Sequence, residues 1–119
     1  MSDFRRLEVW QAARTLTREI YLSTTGFPDA EKFGLALQLR RAANSIGANI
    51  AEGMGRPSDR DALRFLGIAT GSANEVEQHL VVAHDVGLMA MARSEELIAQ
   101  VQRVRRMLAG LRVKISSRV

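Results

Sequence analysis

The chain of 119 residues has the size of one domain, long enough to bury a single core and too short for two. Its 46% hydrophobic content and two prolines exclude a disordered chain, no run of about 18 apolar residues offers a membrane span, and the absence of cysteine excludes disulfides, a thiolate nucleophile and Cys-based zinc sites. The net charge of +4 rests on 15 arginines against two lysines, and the planar guanidinium, which grips carboxylate or phosphate with two donors at once, points to an anionic partner or to many ion pairs.

The opening MSDFRRLEVW carries charges and an amphipathic pattern where a signal peptide has an apolar stretch, so cytoplasmic residence is expected. Over residues 7–24, Val9, Ala13, Leu16 and Ile20 recur at helical spacing, with Glu8, Gln11, Arg14 and Arg18 elsewhere around the wheel. TTGFPDAE interrupts the pattern, and Asp29 is the expected cap of a second helix starting near Glu31. In that helix Leu35, Leu39, Ala42, Ala43, Ile46, Ile50 and Gly53 share one arc, which a strand's period of two does not produce. GMGRPS predicts a tight reversal, with Ser58 capping a third helix from Asp59 to about Val86. Its expected stripe is Phe65, Leu66, Ala69, Ala73, Val76, Leu80 and Ala83, small enough in part for close helix approach. After GLMAMAR, Leu97, Val101, Val104, Leu108, Leu111 and Ile115 alternate spacings of four and three, a coiled-coil-like seam. The expectation is an all-α fold, an antiparallel up-down-up-down four-helix bundle in one domain over residues 1–119. Trp10, Tyr21, Leu37, Leu63, Val82 and Val113 lie off the main stripes and leave some apolar surface for self-association.

Residues 38–56, QLRRAANSIGANIAEGMGR, interrupt an apolar arc with polar groups. At 100 degrees per residue Gln38, Arg41, Ser45, Asn49 and Glu52 line one stripe, while Arg40 and Asn44 point elsewhere. Arg41 and Glu52 stand about 16 Å apart along the axis, so each is expected to find its partner on another helix or another subunit. Ser72, Asn74, Glu75 and Glu77 on the third helix are the candidates. The stripe reads first as a structural network and second as a ligand or RNA surface.

Enzymatic readings find little to stand on. A dimetal bundle needs inward carboxylates and two Glu-x-x-His motifs, which are absent. His79 and His84 lie about 140 degrees apart around their helix and cannot share a metal from it. Ser45 and Ser72 lack a nucleophile elbow, and GMGRPS lacks the lysine of a phosphate-binding loop. No catalytic residue, metal or cofactor is expected. IAEGMGRPSDRDALRFL imitates a helix-turn-helix, yet its recognition helix would begin with Asp59, Arg60 and Asp61, a net negative start facing phosphate.

Charge is unevenly spread: residues 57–92 sum to −3 and residues 93–119 to +5, so a polyanion should meet the last helix first. There Arg103, Arg106 and Lys114 project away from the apolar seam, and Arg105 and Arg112 flank one of its edges, five cations able to track a phosphate backbone. The plain alternative is a solvated face. Six aromatic residues, most near the expected core, argue for recognition of shape or phosphate over base stacking.

LEVWQAARTLTREIY, FPDAEKFGLALQLRRAANSIGANIAEGMGR and RFLGIATGSANEVEQHL together resemble the bacterial 23S rRNA intervening-sequence protein family, also called the four-helix bundle protein family. FLGIATGS resembles the family's FL-x-IA-x-GS element. The resemblance implies a ring-shaped homo-oligomer, a homopentamer, and kinship with the accessory protein of diversity-generating retroelements, which is associated with RNA and reverse transcriptase. The family's polar pattern falls here on Gln38, Arg41, Ser45, Asn49, Glu52, Gly53 and Arg56, then Gly71, Ser72 and Glu75. This chain departs from it at Ala73 and Asn74, where a leucine-containing step is usual, and at Gln78 and His79, which replace a Thr-Gln pair.

The function expected is therefore that of a non-enzymatic cytoplasmic oligomer that contacts structured RNA or an RNA-protein complex through arginine-rich faces. The rival expectation is a homo-oligomeric protein-interaction scaffold with no nucleic-acid role. In the first, Arg103, Arg105, Arg106, Arg112 and Lys114 meet the nucleic acid. In either, Gln38, Arg41, Ser45, Asn49, Glu52, Arg56, Ser72 and Glu75 form a polar network or a subunit interface.

Overall fold

A computed structural model describes residues 3–119, so the first two residues of the expected domain lie outside the description. The four apolar stripes become four α-helices: α1 (Glu8–Thr24), α2 (Leu35–Met54), α3 (Asp59–Asp85) and α4 (Met91–Ser116). Short 3-10 turns at Phe4–Arg6 and Asp29–Glu31 precede α1 and α2, and no strand occurs among the described residues.

The helix ends follow local chemistry. Ser58 accepts the Asp61 amide at 3.1 Å and caps α3, as its position before Asp59 implies. The expected start of α2 near Glu31 is displaced: Asp29 caps nothing, and Gly34, with ψ −118, separates the 3-10 turn from a helix that begins at Leu35. The Glu31 carboxylate instead reaches forward to accept the Leu35 amide at 3.2 Å. Phe33 is 81% exposed, so extending α2 backwards would bury nothing, and the helix starts where its apolar stripe starts. Between α3 and α4 the chain turns on Gly87, whose φ of +80 is a left-handed conformation that a side chain would strain. The turn lets the Leu88 and Met89 amides bond back to the Ala83 carbonyl at 2.8 and 3.2 Å.

Cross-helix contacts give the topology. Arg40 meets Thr24, Gly53 lies against Ala62, Ser94 meets Leu80 and Arg93 meets Glu19, each joining a late residue of one helix to an early residue of the other. Every helix therefore runs antiparallel to two neighbours, and α4 returns beside α1 to close the square, 46 Å long and about 20 Å across. The up-down-up-down bundle follows from the three short connections.

The predicted stripes form the core, with Leu16, Ile20, Leu39, Ile46, Ile50, Leu66, Leu80, Leu97 and Leu108 fully buried. Burying each such side chain contributes about 1.5–3 kcal/mol. Phe65 departs from its expected core position: it is half-buried, its ring flanked by the guanidinium groups of Arg56 at 4.8 Å and Arg64 at 4.4 Å. The cause is Gly53, where a Cβ would stand 3.1 Å from the Phe65 Cβ and 3.2 Å from the Ala62 carbonyl oxygen. α2 and α3 approach so closely there that no room remains between them for an aromatic ring.

Candidate nucleic-acid interface

The polar stripe of α2 divides into two parts. Its middle is internal wiring: Asn49 Nδ2 donates to the Ser45 carbonyl at 2.8 Å and to Ser45 Oγ at 3.0 Å, and Ser45 Oγ lies 2.9 Å from the Oγ of buried Ser72 on α3. No buried side-chain nitrogen or oxygen among the described residues lacks a partner. Glu52 needs neither another helix nor another subunit, because Arg56, one turn further on, binds it at 3.0 Å and also reaches Asp61 at 3.6 Å. The sequence reading overlooked this local pair, an ordinary i, i+4 contact. Gln38 and Arg41 are exposed, with no side-chain hydrogen bond among the described residues. Of the remaining α3 candidates, Glu75 turns to His79 at 3.2 Å, whereas Asn74 and Glu77 face α4. His84 Nδ1 lies 3.3 Å from the Met89 carbonyl oxygen, and no cluster of three metal-ligating side chains occurs among the described residues.

The five cations of α4 separate by helix geometry. Arg105 turns toward α3, donating to Glu77 at 2.8 Å and Asn74 at 3.1 Å, and Arg112 reaches Thr70 there at 3.4 Å. Arg103, Arg106 and Lys114 stay exposed, with no ion pair or hydrogen bond among the described residues. The structure thus splits the basic helix into a braced edge and a free outward row.

The free row continues onto α1, where Arg14 and Arg18 also lie exposed without an acidic partner among the described residues. A cleft of about 500 Å³ runs between α1 and α4, lined by Glu8, Gln11, Ala12, Thr15, Gln100, Arg103 and Val104. The adjoining depression of about 440 Å³ is lined by Arg5, Trp10, Gln11, Arg14, Thr15 and Arg18. Gln11 and Thr15 belong to both, so Arg103 of α4 stands on one continuous surface with Arg14 and Arg18 of α1, in which Glu8 is the single lining carboxylate. Arg5 is held by Asp3 at 3.1 Å, and the hydrogen bond from its side chain keeps the Asp3 carboxyl below its usual range. At the opposite end of the seam Arg93 is neutralised, bonded to Glu19 at 3.1 Å, Ser23 at 2.9 Å and also Glu96. The unpaired cations of this seam therefore lie on the middle of α1, at Arg14 and Arg18, and on the second half of α4.

Arg14 and Arg18 were absent from the residues expected to meet nucleic acid. The readable signal was a pair of arginines four apart with no acid three or four positions to either side. Its significance depended on α1 lying beside α4, a contact between the first and last helices that periodicity does not report.

The family model described as 23S rRNA-intervening sequence protein matches residues 5–110, and the chain belongs to this family, as the QLRRAANSIGANIAEGMGR and FLGIATGS elements implied. A crystal structure of a protein of unknown function from the S23 ribosomal protein family of Bacteroides thetaiotaomicron is similar, with a TM-score of 0.78 and 24% identity over 87% of this chain and 96% of that one. At that identity the likeness concerns the fold. No curated protein matches. No helix among the described residues is long and apolar enough to cross a membrane.

Proposed function

We propose that the protein is a non-enzymatic binding protein of the cytoplasm that contacts structured RNA, or an RNA-protein complex, through the face shared by α1 and α4. It acts as a homo-oligomer that repeats this face, so that weak contacts at each copy add through avidity. The single observation that carries the reading is that Arg14, Arg18 and Arg103 line one continuous surface and that they, with the exposed Arg106 and Lys114 of α4, are free of ion pairs among the described residues. A cation already paired with a carboxylate gains little from a phosphate, because it must first give up its partner. An unpaired one releases condensed counterions from the nucleic acid at no such cost. On this reading Arg105 and Arg112 chiefly brace α4 against α3 and meet the backbone only at the margin of the face.

The test is the affinity of a dye-labelled RNA hairpin, measured by anisotropy between about 50 and 200 mM salt. Five phosphate contacts predict a fall on the order of 10²–10³-fold over roughly that interval. Affinity that ignores salt, or no binding at low salt, refutes the reading.

The scaffold reading draws on a different observation, the exposed Ile68 and Val86 of the α3 side together with uncommitted Arg41 on α2. Under it Arg41→Ala lowers the mass of the particle in solution and RNA does not bind; an unchanged mass rejects it.

A further inference from the structure

Building on the RNA reading, we propose that the groove between α1 and α2 is a subsite for an unpaired nucleotide of the bound RNA, its base against Trp10 and its phosphate on Arg14 and Arg18. The groove encloses about 410 Å³ and shares Trp10, Arg14 and Arg18 with the cation row, so a strand crossing that row passes its mouth. Its volume suits one small ligand, in the range of about 300–1,000 Å³ typical of such sites, and does not admit a duplex.

The chemistry of the walls is that of a nucleotide site. Gly47 on α2 lets the indole of Trp10 lie close against the helix: a Cβ there would stand 3.5 Å from Nε1 and 3.8 Å from Cδ1. Phe4 meets the Trp10 ring edge-on at 5.2 Å and steadies it, and the Arg14 guanidinium lies over the ring, 5.6 Å from its centroid. A guanidinium laid over an indole makes a cation–π pair whose outer plane and open ring edge offer a base a stacking surface. Among the described residues Trp10 Nε1 has no hydrogen-bond partner and no buried side-chain polar atom is orphaned, so this donor opens to the solvent of the groove. The exposed Asn44 amide beside it is likewise unengaged and offers a donor and an acceptor to a base edge. Thr17 gives its proton to the Ala13 and Ala43 carbonyls, at 2.8 and 3.1 Å, which leaves its oxygen as an acceptor. Bases inside a duplex are stacked and turned away from such a wall, whereas a bulged or single-stranded one is available to it.

Trp10 is the sole tryptophan of the chain, so its emission reports on this groove alone. Two labelled RNAs are compared at low salt, a blunt duplex and the same duplex carrying a three-nucleotide bulge, by anisotropy for binding and by tryptophan emission for occupancy. The bulged RNA is expected to bind at least about fivefold tighter and to quench Trp10 saturably, while the blunt duplex binds and leaves the emission nearly unchanged. Asn44→Leu, an exposed substitution that fills the groove mouth, should bring the two affinities together, with circular dichroism showing the helices intact. Equal affinities and equal emission for the two RNAs overturn the subsite and leave the α1–α4 face standing. Failure of both RNAs to bind overturns the RNA reading and the subsite with it.

Discussion

The α2–α3 and α1–α4 seams are made from the same kind of amphipathic helix, yet they finish with opposite surfaces. Along α2–α3 the facing residues are small, with Ala42, Gly53, Ala62, Ala69 and Ala73 all buried, and the backbones draw together until Ser45, Asn49 and Ser72 satisfy one another. Along α1–α4 the long side chains of Glu8, Gln11, Gln100 and Arg103 stand around Ala12, Thr15 and Val104 and line a cleft that their own polar groups do not fill. Side-chain size at a seam thus decides whether polar groups are consumed internally or left for a partner. The one place where α1–α4 behaves like its counterpart is the Arg93 end, where Glu19, Ser23 and Glu96 are within reach.

The largest effect that sharpens this contrast is on binding. Reversing three free cations together, Arg14→Glu, Arg103→Glu and Arg106→Glu, should weaken RNA affinity at low salt on the order of 10²-fold or more. Each position is exposed, so stability should stay within about 0.5 kcal/mol per site in urea unfolding. A variant that binds normally would mean that the open seam is not where the anion sits. Next in size is Gly53→Leu, which forces a side chain into the closed seam where a Cβ already meets Phe65 and Ala62. The expected loss is about 1–3 kcal/mol of folding stability, read as a lower urea midpoint, with RNA affinity of the folded protein unchanged.

Much of the closed seam was readable in the sequence and little of the open one was. The stripes Leu39 to Ile50 and Leu97 to Leu108 are buried as their spacing implies, because periodicity along a helix directly records which face leaves water. The start of α2 was not readable from Asp29, because the turn at Gly34 and the exposed Phe33 outweigh a capping signal that finds no amide to cap. Arg105 and Arg103 looked alike as members of a basic helix. Which is free depends on Glu77 lying across from one of them, a fact of register between α3 and α4. The same limit hid Arg14 and Arg18, since a row of cations on α1 becomes part of the basic face only when the bundle closes.

A smaller effect tests the internal wiring. Ser72→Ala removes the buried hydroxyl that meets Ser45, while Asn49 continues to donate to Ser45 Oγ, so the cost should be about 1 kcal/mol. Pairing it with Ser45→Ala should cost less than the two single changes summed, since the second change no longer strands a partner. Additive costs measured by urea unfolding would mean that the two hydroxyls act independently.

The smallest expected effect lies at the closed end of the open seam. Arg93→Gln breaks the bonds to Glu19 and Glu96, yet these side chains remain partly exposed, so the loss should be only about 0.2–1 kcal/mol and should shrink as salt is added. It would also leave Glu19 unpaired on α1, next in the chain to Arg18, which lies on the surface that faces the anion. The predicted consequence is a modest weakening of RNA binding, severalfold at low salt and absent at high salt, from a residue that touches no phosphate. If binding is unchanged while stability falls, the Arg93 cluster serves only to hold α1 against α4. If both change together with the same salt dependence, the balance of charge along the seam extends over its whole length, and the boundary between its neutral and basic halves is electrostatic as well as structural.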